Sequence, residues 1–180
     1  MGLFSSFFGP RKPKPEIAKE INLGQYFYLI NYQERYSGFL TKVTDPSRAI
    51  AELFLYRAWL TQFGFHIFSA YPNISKEITY QVVNLANTLG RASLALGCNI
   101  HFEKLYSVEL IKVLQSRWQE YDALAKEYRS ITDLLEPGPI SRAVTIHCGS
   151  DDVLEAFNLG LDYLFLLNEI KDEAIARRMV

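Results

Sequence analysis

Along most of this chain the apolar positions recur every three or four residues, the spacing of one face of an α-helix. Across residues 16–42 they fall at Ile17, Ile21, Leu23, Phe27, Tyr28 and Ile30, which predicts a first helix. Gly24 and Gly38 weaken it, so a bend or a split is expected there. Thr44-Asp45-Pro46 is a start signal, because an aspartate can accept from free first-turn amides and a proline suits the first helical position. The helix it opens, at about residues 46–70, carries Ile50, Leu53, Phe54, Trp59, Leu60, Phe63, Ile67 and Phe68 on most of its sides. A helix apolar nearly all round is a buried one, so this segment is expected at the centre of the fold.

Tyr71-Pro72-Asn73 stops the central helix, and Ile78, Val82, Leu85 and Leu89 mark a third helix from Ser75 to about Leu96. A fourth, from His101 to about Arg129, is two-faced, with Leu110, Val113, Leu114, Trp118 and Tyr121 on one side and an Asp122–Lys126 pair on the other. Pro137-Gly138-Pro139 is a strong break. The segment after it, at about 140–147, reads as a short helix, although Val144-Thr145-Ile146 also suits a strand. Gly149 then stops it, Ser150 is placed to cap, and Asp151-Asp152 complement the dipole of a last helix over about 151–177. Its expected core side is Leu154, Phe157, Leu161, Leu164 and Phe165. With no alternation of strands and helices, the pattern predicts an all-α, single-domain bundle of five or six helices over residues 16–180, preceded by a distinct N-terminal element at 1–15.

Length and composition agree with one sizeable core. The chain has 180 residues, 49% of them apolar, and a formal charge of −1 that gives no basic footprint for nucleic acid. Two cysteines, Cys98 and Cys148, are too few for a disulfide scaffold, and no stretch is long and apolar enough to span a membrane. A cytoplasmic setting, with membrane-peripheral association left open, is the resulting expectation.

Candidate chemistry is sparse. Cys148 beside His147 resembles a nucleophile with a base, but adjacent helical residues point about 100° apart, so His66 or His101 would have to serve. Helix punctuation explains the same residues. Cys98-Asn99-Ile100-His101 has a spacing that can clamp zinc, yet a regular second half is missing, so no metal and no cofactor is expected. Inside the central helix, Glu52 can pair with Arg48 one turn away, whereas Arg57 has no partner on its own helix and needs water or another helix's carboxylate.

Two interaction signals remain. Glu155, Asp162 and Glu169 fall at i, i+7 and i+14, an acidic stripe expected to stand exposed and to bind a protein partner with a basic surface. At the other end, Leu3, Phe4, Phe7 and Phe8 share one side of two helical turns, followed by Pro10 and the basic Arg11, Lys12 and Lys14. So short a helix forms only on a surface, either an anionic membrane, this protein's own groove or a second copy, and without one the stretch is a disordered tail. The leading expectation is a non-catalytic interaction module, such as an adaptor, a regulator or an immunity-type inhibitor. The alternatives are a helical domain binding a small apolar ligand along the central helix, and a cysteine-dependent enzyme.

Overall fold

Asp45 does what its position promises: its Oδ1 accepts from the Arg48 amide at 3.0 Å, and Pro46 opens a helix of 23 residues. The computed structural model describes residues 22, 24–27, 29–68, 80, 84, 110–127 and 138–177. Among them the regular elements are α1 (Gly24–Phe27), α2 (Tyr32–Arg35), α3 (Ser37–Leu40), α4 (Pro46–Phe68), α5 (Leu110–Glu127), α6 (Pro139–His147) and α7 (Val153–Ala176). Among the described residues no strand occurs, and with the bent pair α2–α3 counted once these elements make a bundle of six helices. The N-terminal element, with Leu3, Phe4, Phe7, Phe8, Arg11, Lys12 and Lys14, lies outside the described residues. So does the expected third helix, apart from Tyr80 and Asn84, which are helical.

The first expected helix is split rather than continuous. Asn31 caps α2 by accepting from the Glu34 amide, and Tyr36 ends α2 while starting α3. The breaks bring aromatic rings inward: Phe27, Tyr32, Tyr36 and Phe39 are all buried, and the Tyr32 hydroxyl donates to the Phe27 carbonyl at 2.7 Å.

α4 is the centre. It packs against every other described helix, and every residue from Ala49 to Thr61 is buried. Around Trp59 the rings interlock, stacked on Phe63 at 4.7 Å and edge-on to Tyr121 of α5 at 5.4 Å. The Trp59 indole N–H donates to Asp122, the acid that the sequence pattern pairs with Lys126. Glu52 is corrected in the same way. It is fully buried, and its carboxylate receives Arg117 of α5 through two bonds of 2.8 Å each, not Arg48 at the exposed start of the helix. A helix buried on nearly all sides has no exposed stripe on which an i,i+4 pair can sit.

The segment that also suited a strand is helical, with Pro139 in the first turn of α6. α6 closes on Gly149 at φ 85°: the Gly149 amide returns to the Ile146 carbonyl and the Ser150 amide to that of Thr145. The cap of α7 is Asp152, whose side chain accepts from the Leu154 amide at 2.8 Å; Ser150 instead accepts from the Asp152 amide. A Cβ at position 149 would have room, its nearest neighbour being Thr44 Oγ1 at 3.9 Å, so the penalty of Gly149→Ala is purely one of backbone conformation. It is expected to destabilise by about 1–2 kcal/mol, lowering the melting temperature by about 2–8 °C. Thermal unfolding followed by circular dichroism measures it, and an unchanged midpoint would contradict the cap.

Candidate functional site

α7 is apolar on two faces, and the structure buries the one that carries its acids. The inward face is Glu155, Ala156, Leu159, Asp162, Leu166, Ile170 and Ala174. Leu154, Leu161 and Phe165, expected in the core, are exposed, Leu154 and Phe165 by 61% and 63% of their surface. Glu155 and Asp162, expected to stand in water, are buried; of that stripe Glu169 alone is exposed.

The reason lies in the bases that α7 meets. Arg57 of α4 is 1% exposed and reaches Asp162 through Nη1 at 2.6 and 2.9 Å, while its Nε donates to the Tyr26 carbonyl. Arg35 at the end of α2 donates to the same carboxylate through Nη2 at 2.6 Å, and the Tyr36 hydroxyl donates to it at 2.7 Å. Burial would raise the Asp162 carboxyl, but Arg57, with the hydrogen bonds from Arg35 and Tyr36, outweighs it and holds the group below the ordinary carboxylate range. Burial drives the Tyr36 phenol well above its usual range, so it stays a neutral donor. Two guanidinium groups thus share one carboxylate, leaving one positive charge in excess. Two turns earlier on α7, Glu155 pairs with Lys42, which follows α3.

Sequence reading left Arg57 to water or to a carboxylate from another helix, and the structure supplies Asp162. It missed Arg35, Tyr36 and Lys42. The available signal was Asp162 itself, a lone acid in the run Leu159-Gly160-Leu161-Asp162-Tyr163-Leu164-Phe165-Leu166-Leu167.

Outside this cluster, a groove of about 300 Å³ runs between α2–α3 and α7. Arg35, Tyr36 and Phe39 form one wall, Asn158, Leu161 and Phe165 the other, with Asp162 between them. A second groove, of about 540 Å³, lies between α1 and the end of α7 and is acidic, lined by Gln25, Tyr26, Glu169, Asp172, Glu173 and Ala176. Neither of these two grooves is lined by α4, where a ligand pocket was anticipated.

The cysteine cluster has a different setting from the one an active thiol needs. Cys148 is 1% exposed, its Sγ lies 3.6 Å from the Ala49 carbonyl, and burial pushes its thiol well above the ordinary range. His147 turns to Glu120 at 2.9 Å, and His66 is on the surface of α4. Cys98 and His101 lie outside the described residues. Among the described residues no group of three or more His, Cys, Asp or Glu side chains is placed to hold a metal ion, and no helix is long and apolar enough to cross a membrane.

In comparison with known proteins, the chain matches no family model, no curated protein and no solved structure.

Proposed function

We propose that the protein is a non-catalytic helical interaction module whose docking surface is the outward face of α7 and the groove along it. The observation that supports this most directly is the reversal of α7. Glu155 and Asp162 are neutralised inside the bundle by Lys42, Arg57 and Arg35, while Leu154, Leu161, Phe165 and Ile175 face water. Covering a side chain of that size contributes roughly 1.5–3 kcal/mol. Leu161 and Phe165, one turn apart and rimmed by Asn158, Asn168 and Asp172, form the apolar centre of this face, the arrangement that protein-binding surfaces take. Glu169, Asp172 and Glu173 at its far end favour basic groups on whatever docks there, the residue of the acidic-stripe expectation that still faces solvent.

The test is Leu161→Lys combined with Phe165→Lys in the intact chain. The melting temperature is expected to move by less than about 3 °C, as for surface substitutions, while proteins that co-purify with the intact chain are lost. A fall in stability like that of a core substitution would mean that the chain covers this face itself. Unchanged recovery of the same proteins would remove the surface from consideration.

A further inference from the structure

The groove between α2–α3 and α7 combines an apolar lining with one incompletely used polar group. Phe39, Leu159, Leu161 and Phe165 give it its apolar walls, and its volume of about 300 Å³ is at the small end of the range for small-molecule sites. Arg35 also lines it, with 43% of its side chain exposed. A planar guanidinium presents its N–H groups as two forks on different edges. Arg35 gives one fork to Asp162, where Nε and Nη2 both donate to Oδ1, at 3.2 and 2.6 Å. The other fork, made by Nη1 and the second Nη2 proton, has no hydrogen-bond partner among the described residues.

We propose that this groove binds a small carboxylic acid with an apolar body, an aliphatic or aromatic monoacid. Its carboxylate sits on the free fork of Arg35 and its body lies between Phe39, Leu161 and Phe165. The inference goes beyond the docking reading and does not rest on it.

The carboxylates nearby are already answered. Asp162 accepts from Arg57 and Arg35 at Oδ1 and from Arg57 and Tyr36 at Oδ2, so neither oxygen is bare. Glu155 is paired with Lys42. Asp151 and Asp152 do not line the groove, and the Asp152 side chain is held by the Leu154 amide. Around the groove, Arg35, Arg57 and Lys42 therefore meet only Asp162 and Glu155, and a ligand carboxylate makes the count even.

The shape of the free group narrows the chemistry further. A carboxylate can meet a guanidinium through two parallel bonds, whereas an alcohol brings a single oxygen and an ammonium brings only donors. The apolar walls supply the rest of the selection. An acid without an apolar body leaves them in water, and an apolar molecule without an acid leaves the fork in water.

The experiment is isothermal titration calorimetry of the full chain at neutral pH with octanoate, octanol, octylammonium and acetate. Octanoate is expected to bind saturably, one molecule per chain. Octanol and octylammonium are expected to bind at least about tenfold more weakly, the size of a charge-assisted contact, and acetate not to saturate in the same range. Arg35→Gln should bring octanoate down to the affinity of octanol and leave octanol unchanged. Arg57 still pairs Asp162 in that variant, and circular dichroism checks that it folds. Phe165→Asn, at an exposed position, should weaken octanoate and octanol alike, and it keeps the inference testable if Arg35→Gln does not fold. Octanol bound as tightly as octanoate would mean an apolar groove without an acid site and would overturn the inference. So would octanoate that fails to saturate, or octanoate binding indifferent to either variant. The docking reading is untouched by these outcomes, because Leu161→Lys with Phe165→Lys tests it against co-purifying proteins.

Discussion

Arg57→Met is expected to destabilise the fold by about 3 kcal/mol, the low end for breaking a buried pair, since Asp162 loses its buried partner and keeps only the partly exposed Arg35 and the Tyr36 hydroxyl. With total stabilities of about 5–15 kcal/mol for domains of this kind, that change brings the protein close to unfolding. Asp162→Asn is expected to be as severe, because Arg57 would stay buried without a counter-charge. Arg57→Met with Asp162→Leu should recover much of the loss, an apolar pair of similar bulk replacing the charged one. Urea unfolding of the three variants measures this directly. If the single variants unfold at the wild-type midpoint, the cluster contributes nothing and the orientation of α7 has another cause.

The cluster also sets an acid limit. Asp162 titrates lower in the folded chain than its ordinary value near 3.9 in an unfolded one. Its contribution is therefore complete above that ordinary value and is lost as pH falls through it towards the folded pKa. In the Asp162→Asn chain this part of the acid-induced loss is expected to disappear, so stability measured from pH 5 down to pH 2 should fall less steeply than in the wild type.

Trp59→Ala is the second large effect, at about 3–5 kcal/mol, the range for truncating a buried aromatic. Trp59 is fully buried, stacked on Phe63 and edge-on to Tyr121, so its removal opens a cavity between α4 and α5 that neither ring can fill without leaving the other. Trp59→Phe should cost only about 1–2 kcal/mol. It keeps most of the contact and strands only Asp122, which is exposed and finds water. Equal losses for the two variants would mean that the hydrogen bond to Asp122, not the packing, holds α5 in place.

The helical class and the central position of α4 were legible because they depend on periodicity, and the run from Ile50 to Phe68 leaves little room for a polar side. The start of α4 was legible for a local reason, the Asp45-Pro46 pair. What was not legible is which face of α7 goes inward. Leu154, Phe157, Leu161, Leu164 and Phe165 form the more apolar face, and burial by hydrophobicity alone selects it. The choice is made by Arg35, Lys42 and Arg57, more than a hundred residues away in sequence, and a pattern confined to one helix carries no trace of them. The same blindness paired Glu52 with its neighbour Arg48 rather than with Arg117. Local punctuation, by contrast, was misplaced by only two residues, from Ser150 to Asp152.

A helix with two apolar faces has two ways of lying on α4, related by a roll of about 150° about its own axis. In the rolled arrangement Leu161 and Phe165 would be driven against Arg57, which would keep its charge with no carboxylate to meet it, a penalty of several kcal/mol. The seated arrangement is thus selected less by what it gains than by what the other would strand. Asp162 works as an address on the helix, and Arg57 and Arg35 read it. The double apolar variant, though stable, erases most of that address and leaves only Glu155 with Lys42 to hold α7 in its seated arrangement.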